Sequence, residues 1–196
     1  MSVLVHFLKW SVGLEHAETQ TTAGERDCLT RHAASRRVLA EIGVWHGVTT
    51  AGLRRAMAAD GVLYAVDPYP IGRLGFNVQR QIARQEVGRV PNGRVEWMRT
   101  TGAEAARALA DATRGRLEFV FIDGDHSYDG LHADWVGWSA LVAPRGIVAL
   151  HDSRPCPARP IHDAGSVRFT AEVIRRDLRF TVIDEQDSLT VLERMP

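Results

Sequence analysis

Short apolar runs ending in glycine or an acid, each separated from the next by a stretch of helical periodicity, run through most of the 196-residue chain. RVLAEIGV, VLYAVDPY, GRVEWMRT, LEFVFIDG and GIVALHDS have the length and near-continuous hydrophobicity of strands buried on both faces. TAGERDCLTRHAASR precedes the first run; TTAGLRRAMAAD, FNVQRQIARQEV, TGAEAARALADAT and YDGLHADWVGWSALV lie between the others and read as helices. Thr49 or Thr50 is the expected cap of the second of these. Beyond a proline-rich loop, SVRFTAEVIRRD is helical, and RFTVID and LTVLERM form two closing strands joined by a turn at EQDS. Strand and helix in alternation with short links predict an α/β fold: a seven-stranded, mostly parallel sheet with helices on both faces.

Composition narrows the function. A hydrophobic content of 45% supports a real core, and 24 basic against 24 acidic residues argue against nucleic acid or an anionic membrane as partner. A small molecule is the expected partner; a homo-oligomer is left open. Lys9 is the only lysine, so few lysine bases are on offer. Cys28 and Cys156 have neither metal nor redox spacing, which suits a reducing, cytoplasmic setting. The opening MSVLVHFLKWSVGLEH is interrupted by His6, Lys9 and Glu15 and lacks a small-residue cleavage site, so it reads as neither a signal peptide nor a membrane span. Residues 1–21 are expected to be a helical extension, a lid or a partner surface, and 22–196 the domain proper.

In such a sheet, ligands bind at the carboxyl ends of the strands where strand order reverses. The first strand ends in EIGVWHG, whose Gly43 and Gly47 let backbone approach a ligand while Glu41 places a charge in an apolar run. About 20 residues on, Asp67 ends the second strand, where an acid can take ribose hydroxyls; a tight turn with a surface aspartate is the structural alternative. The three-glycine dinucleotide fingerprint is missing, since Ile42, Val44 and Trp45 surround the early glycine. That disfavours a pyrophosphate and with it an NAD-dependent oxidoreductase. A nucleoside without phosphates remains.

These motifs, with FIDGDHSY and the HD pair at residues 151 and 152, give the chain a resemblance to the class I S-adenosylmethionine-dependent methyltransferases over about residues 22–196. It is most similar to small bacterial members related to metal-dependent O-methyltransferases. The resemblance implies a Rossmann-like methyltransferase fold, S-adenosyl-L-methionine as cofactor and a hydroxyl on a sugar or aromatic natural product as acceptor. It implies that Glu41, Gly43 and Gly47 line the methionine part, that Asp67 holds the ribose, that Thr101, Gly102 and Ala103 lie against the adenine, and that Thr49 and Asp123 also bind the cofactor. In the last segment Thr101 and Gly102 replace the acid or serine often found there.

Asp123 and Asp152 end adjacent strands, so their carboxylates can converge on a hard cation such as Mg²⁺. His151 could add a nitrogen ligand and shift the preference toward softer divalent metals; the sugar-modifying relatives usually have an acid there. His126, three residues after Asp123, matches the catalytic histidine of the resembling enzymes, with Asp123 beside it at the reaction centre. An imidazole there can take a hydroxyl proton near neutral pH. A turn histidine bonded to backbone is the competing role, and His151 and Asp125 are the alternative bases. A metal-independent methyltransferase and a non-catalytic cofactor-binding protein are the other functional readings. Trp135 and Trp138 are expected in the core, Asp129, His132 and Asp134 on a solvated helix face, and loop 153–165 as a substrate wall whose His162 and Asp163 are solvated.

Overall fold

The computed structural model describes residues 3–72 and 75–196, so the first two residues of the N-terminal extension lie outside the described residues. The strands are β1 (Val38–Ile42), β2 (Val62–Val66), β3 (Arg94–Met98), β4 (Leu117–Ile122), β5 (Val142–Leu150), β6 (Phe180–Gln186) and β7 (Leu189–Arg194). The helices are α1 (Val3–Ser11), α2 (Ala23–Ala33), α3 (Val48–Ala56), α4 (Val78–Gly88), α5 (Gly102–Thr113), α6 (Tyr128–Ser139) and α7 (Gly165–Glu172). All seven strands form one sheet in the order β3-β2-β1-β4-β5-β7-β6, parallel except for β7, which runs antiparallel to both neighbours.

The strand sequences are apolar throughout because both faces are covered. Leu39, Phe119, Phe121, Ile147 and Val191 point to one face, where they pack with Leu29 of α2 and Leu53 of α3. Their neighbours Ala40, Val120, Ile122, Val148 and Leu192 point to the other, against Ala105 of α5, Trp135 and Trp138 of α6 and Phe169 of α7. Among the described residues no helix is long and apolar enough to cross a membrane.

Two helices depart from the sequence expectation. Neither Thr49 nor Thr50 caps α3: its N-cap is Gly47, left-handed at φ 75°, and no side chain bonds the first-turn amides. A turn of that hand starts the helix before the threonines, both of which fall inside it. The helix expected through Asp177 stops at Glu172, where Val173 leaves helical geometry, and a single 3₁₀ turn follows at Ile174–Arg176. β5 begins four residues ahead of the expected Gly146, its ladder with β4 shifting register between Leu117 and Phe119, with Arg145 left-handed at φ 60°.

Strand order reverses between β1 and β4, and the loops leaving them are pressed together. The Asp123 amide donates to the Ile42 carbonyl at 2.7 Å, and the Gly43 amide to Val66 at 2.9 Å. A Cβ on Gly43, at φ 88°, would lie 2.0 Å from the Asp123 carbonyl oxygen. Gly43→Ala should therefore combine left-handed strain with overpacking and lower stability by about 2–4 kcal/mol. Denaturant unfolding checks this, and an unchanged midpoint would contradict the close approach.

Candidate active site

A cavity of about 750 Å³ opens at this reversal point, a size suited to a small-molecule ligand. Every residue expected to hold the cofactor except Gly47 lines it: Glu41, Gly43, Thr49, Asp67, Thr101, Gly102, Ala103 and Asp123. Gly47 acts from behind, because a Cβ there would press within 3.0 Å of Ala83 on α4. Thr101 caps α5 through a reciprocal pair with Glu104, which fixes the loop after β3.

Glu41 is fully buried, and neither carboxylate oxygen has a hydrogen-bond partner. Burial, reinforced by the charges of Asp123 and Asp67, pushes its carboxyl well above the usual carboxylate range, the Thr50 hydroxyl working against the shift. Asp67 is differently placed. One oxygen accepts from the Val44 and Trp45 amides at 3.1 and 3.0 Å, the other from the Tyr69 amide at 2.9 Å. The Tyr69 hydroxyl closes the arrangement by donating to the Trp45 carbonyl at 2.9 Å. Asp67 thus fastens the loops after β1 and β2 to one another, and Oδ1, which accepts only from Tyr69, keeps a second acceptor direction for a ligand. Trp45, Tyr69 and Asp152, all at strand ends near the site, have positive φ, a concentration of strain characteristic of functional loops.

Beyond Glu41 lies a charged chain. His151 is 3% exposed; its Nδ1 is 2.8 Å from Asp123 and its Nε2 3.4 Å from Glu25. Burial opposes its charge, but the flanking carboxylates outweigh burial and raise the imidazole to about 10. Glu25 goes the other way: burial would raise it, yet bonds from His151, Ser188 and Thr22 hold it at about 2. Asp123 is likewise held below its ordinary value by His126 and His151 despite burial. His126, at the cavity edge with 38% of its side chain exposed, stands 3.4 Å from Asp123 and 3.6 Å from Asp152.

Of the expected metal ligands, Asp123 stands 2.8 Å and Asp152 3.7 Å from His151 Nδ1. Asp152 is also paired with Arg159, and the third ligand atom within 4.8 Å of both Asp123 and His151 belongs to His126. Asp123, His126 and His151 present a carboxylate and two imidazoles, a donor set that fits a divalent transition ion. His151 Nδ1 faces Asp123, and Glu25 stands behind its other nitrogen as an outer carboxylate would.

Sequence reasoning missed three participants. Asp134 is not solvated: it is 6% exposed and lines the cavity, while Asp129 and His132 are exposed as expected. The signal was present, since Leu131, Asp134, Trp135 and Trp138 share one helical stripe. Glu25, third residue of the α2 capping box begun by Thr22, had a readable motif but no readable contact with His151. The N-terminal segment was read only as a lid or partner surface. Its α1 lies against α4, where the Trp10 indole donates to Glu86 at 2.8 Å, and Glu18–Gln20 form part of the cavity wall. Loop 153–165 does not line the cavity and meets its edge through Arg159, which contacts Asp152 and Gln20. His162 and Asp163 are exposed.

A single-headed cavity over a seven-stranded sheet with one antiparallel strand, lacking a dinucleotide glycine fingerprint, is the architecture of a Rossmann-like methyltransferase. A family model described as a methyltransferase domain matches residues 40–153. The chain belongs to that methyltransferase family. The uncharacterized protein y4gI of Sinorhizobium fredii is 26% identical over 158 residues, which are 76% of this chain and 16% of that protein, so the chain spans a small part of that curated relative. Among solved structures, a protein from Corynebacterium glutamicum superposes with a TM-score of 0.69 at 16% identity, covering 99% of this chain and 90% of the other. The O-methyltransferase TomG from Streptomyces achromogenes, involved in tomaymycin synthesis and solved with SAM, gives 0.67 at 17%, covering 100% and 91%. At such identities these likenesses show the fold.

Glu41 generates a prediction about the ligand-free protein. A carboxyl raised on folding gives stability that is full below its unfolded value, about 4.5, and lost as pH rises through the folded value. Glu41→Gln removes that loss, so the variant's melting temperature should gain on wild type as pH rises above about 5. Parallel curves would contradict an unpartnered Glu41.

Proposed function

We propose that the chain transfers the methyl group of S-adenosyl-L-methionine to a hydroxyl oxygen of a small acceptor, such as a sugar or an aromatic natural product. The observation that carries this reading is Glu41, a buried carboxyl with no partner at the cavity wall, where the cofactor's ammonium would supply the missing donors. The uncapped start of α3, with Val48 and Thr49 lining the cavity, suits the cofactor's carboxylate. Asp67 has acceptor capacity left for ribose hydroxyls. The segment Thr101–Ala103 then borders the adenine.

His126 is the proposed base. Its neutral imidazole takes the acceptor's proton on Nε2, and the neighbouring Asp123 carboxylate stabilises the resulting cation. As the oxygen–methyl bond forms, the sulfur–methyl bond breaks and its electron pair returns to sulfur, turning sulfonium into thioether. The chain's contribution is to align donor and acceptor in a cavity lined by both groups. Asp123 and His151 would hold a divalent ion, leaving His126 as the base; such an ion, when bound, lowers the pKa of a hydroxyl. Balanced charge over the whole chain supports a small acceptor over nucleic acid. A cytoplasmic setting accords with two free thiols, Cys28 and Cys156.

The test is formation of S-adenosylhomocysteine from S-adenosylmethionine over a panel of sugar and phenolic acceptors. His126→Ala should lower kcat by roughly 10² to 10⁴ with cofactor affinity nearly constant. Near-normal kcat would make His126 structural. With a strong chelator, wild-type turnover should collapse and return with an added divalent ion; full activity in chelator would leave proton transfer to His126 unaided. Cofactor binding without turnover on any acceptor would favour a binding-only protein.

A further inference from the structure

Asp134 lies in the cavity wall in a slot made by two glycines. A Cβ on Gly102 would come 2.1 Å from its Oδ1, and one on Gly124 3.2 Å from its Oδ2. Gly102 opens α5 and Gly124 follows β4, and both border the cavity. Only 6% of Asp134 is exposed, and among the described residues no protein group bonds to it. Its neighbours on the helical stripe, Leu131, Trp135 and Trp138, are core residues. A carboxylate at such a position costs free energy unless a ligand supplies a donor.

The strand order tells which part of a nucleoside reaches it. From β1 through β2 to β3, the cavity is bordered by Glu41, then Asp67, then Thr101–Ala103. On the cofactor reading these face methionine, ribose and base, and Asp134 touches the last. We propose that Asp134 is the specificity-determining residue for a 6-aminopurine, accepting a hydrogen bond from the exocyclic amine and disfavouring a 6-oxo purine, whose oxygen offers no donor. This rests on the proposed cofactor.

Burial, aided by the charge of Asp125, raises the Asp134 carboxyl to about 6, so at pH 8 it is an acceptor. Titration calorimetry at that pH compares S-adenosylhomocysteine with S-inosylhomocysteine on wild type, Asp134→Asn and Asp134→Ala. Wild type should prefer the 6-amino ligand by about tenfold or more, the scale of a hydrogen bond to a charged group. Asp134→Asn, which can turn either its oxygen or its amide toward the base, should reduce the preference to within about threefold. Asp134→Ala should weaken the adenosine ligand itself. Melting curves check folding, and if the alanine variant unfolds, the near-isosteric asparagine variant decides. Equal wild-type affinity for the two ligands, or a preference that survives Asp134→Asn, overturns the role of Asp134 while leaving the cofactor in place. If wild type binds neither ligand, the cofactor reading fails and this assignment falls with it.

Discussion

The carboxyl ends of β1 and β4 can approach only because residue 43 has no side chain. At φ 88° the Gly43 backbone lies against the Asp123 carbonyl, and the amides of Gly43 and Asp123 tie β1 to β2 and to β4. Three strand ends are thereby held side by side, and each delivers an acid: Glu41, Asp67 and Asp123 line one cavity. Asp134 joins them from α6. Burial raises both Glu41 and Asp134, with the charges of Asp123 and Asp67 adding to the shift at Glu41 and that of Asp125 at Asp134.

The protein answers some of this charge and leaves the rest. Asp123 is met by His126 and His151, Asp152 by Arg159, and Asp67 by three backbone amides. Asp134 receives nothing from the described residues, and Glu41 only the influence of the Thr50 hydroxyl. A ligand that brings an ammonium to one and an aromatic amine to the other matches the unanswered sites, and S-adenosylmethionine carries both. On this reading the cavity's electrostatics select the cofactor. The buried run Glu25–His151–Asp123 keeps Asp123 ionised beside His126, the proposed base.

The strands were legible because burial on both faces writes an uninterrupted apolar run, and loop positions followed from their ends. Asp67 was legible as a site residue but not as a loop fastener, since its bonds are to backbone amides that no side-chain pattern records. The α3 cap was misplaced because a left-handed glycine can start a helix that threonines appear to start. Glu25 and His151 lie 126 residues apart in sequence, and only the docking of α2 beside the β5 end joins them. Asp152 could not be seen to prefer Arg159, because the loop carrying the arginine has no periodicity from which to place it. Asp134 was readable in principle: an acid inside an apolar helical stripe is a core-facing acid, whatever its chemistry suggests.

Glu41, the buried acid at the end of β1, is proposed to recognise the amino-acid head of the cofactor. Calorimetric titration of the wild-type protein with S-adenosylhomocysteine and with methylthioadenosine, which keeps the nucleoside and lacks that head, tests it most directly. S-adenosylhomocysteine should bind tighter by about tenfold or more, the scale expected for charge-assisted bonds. Equal affinities, or binding of neither nucleoside, would contradict it.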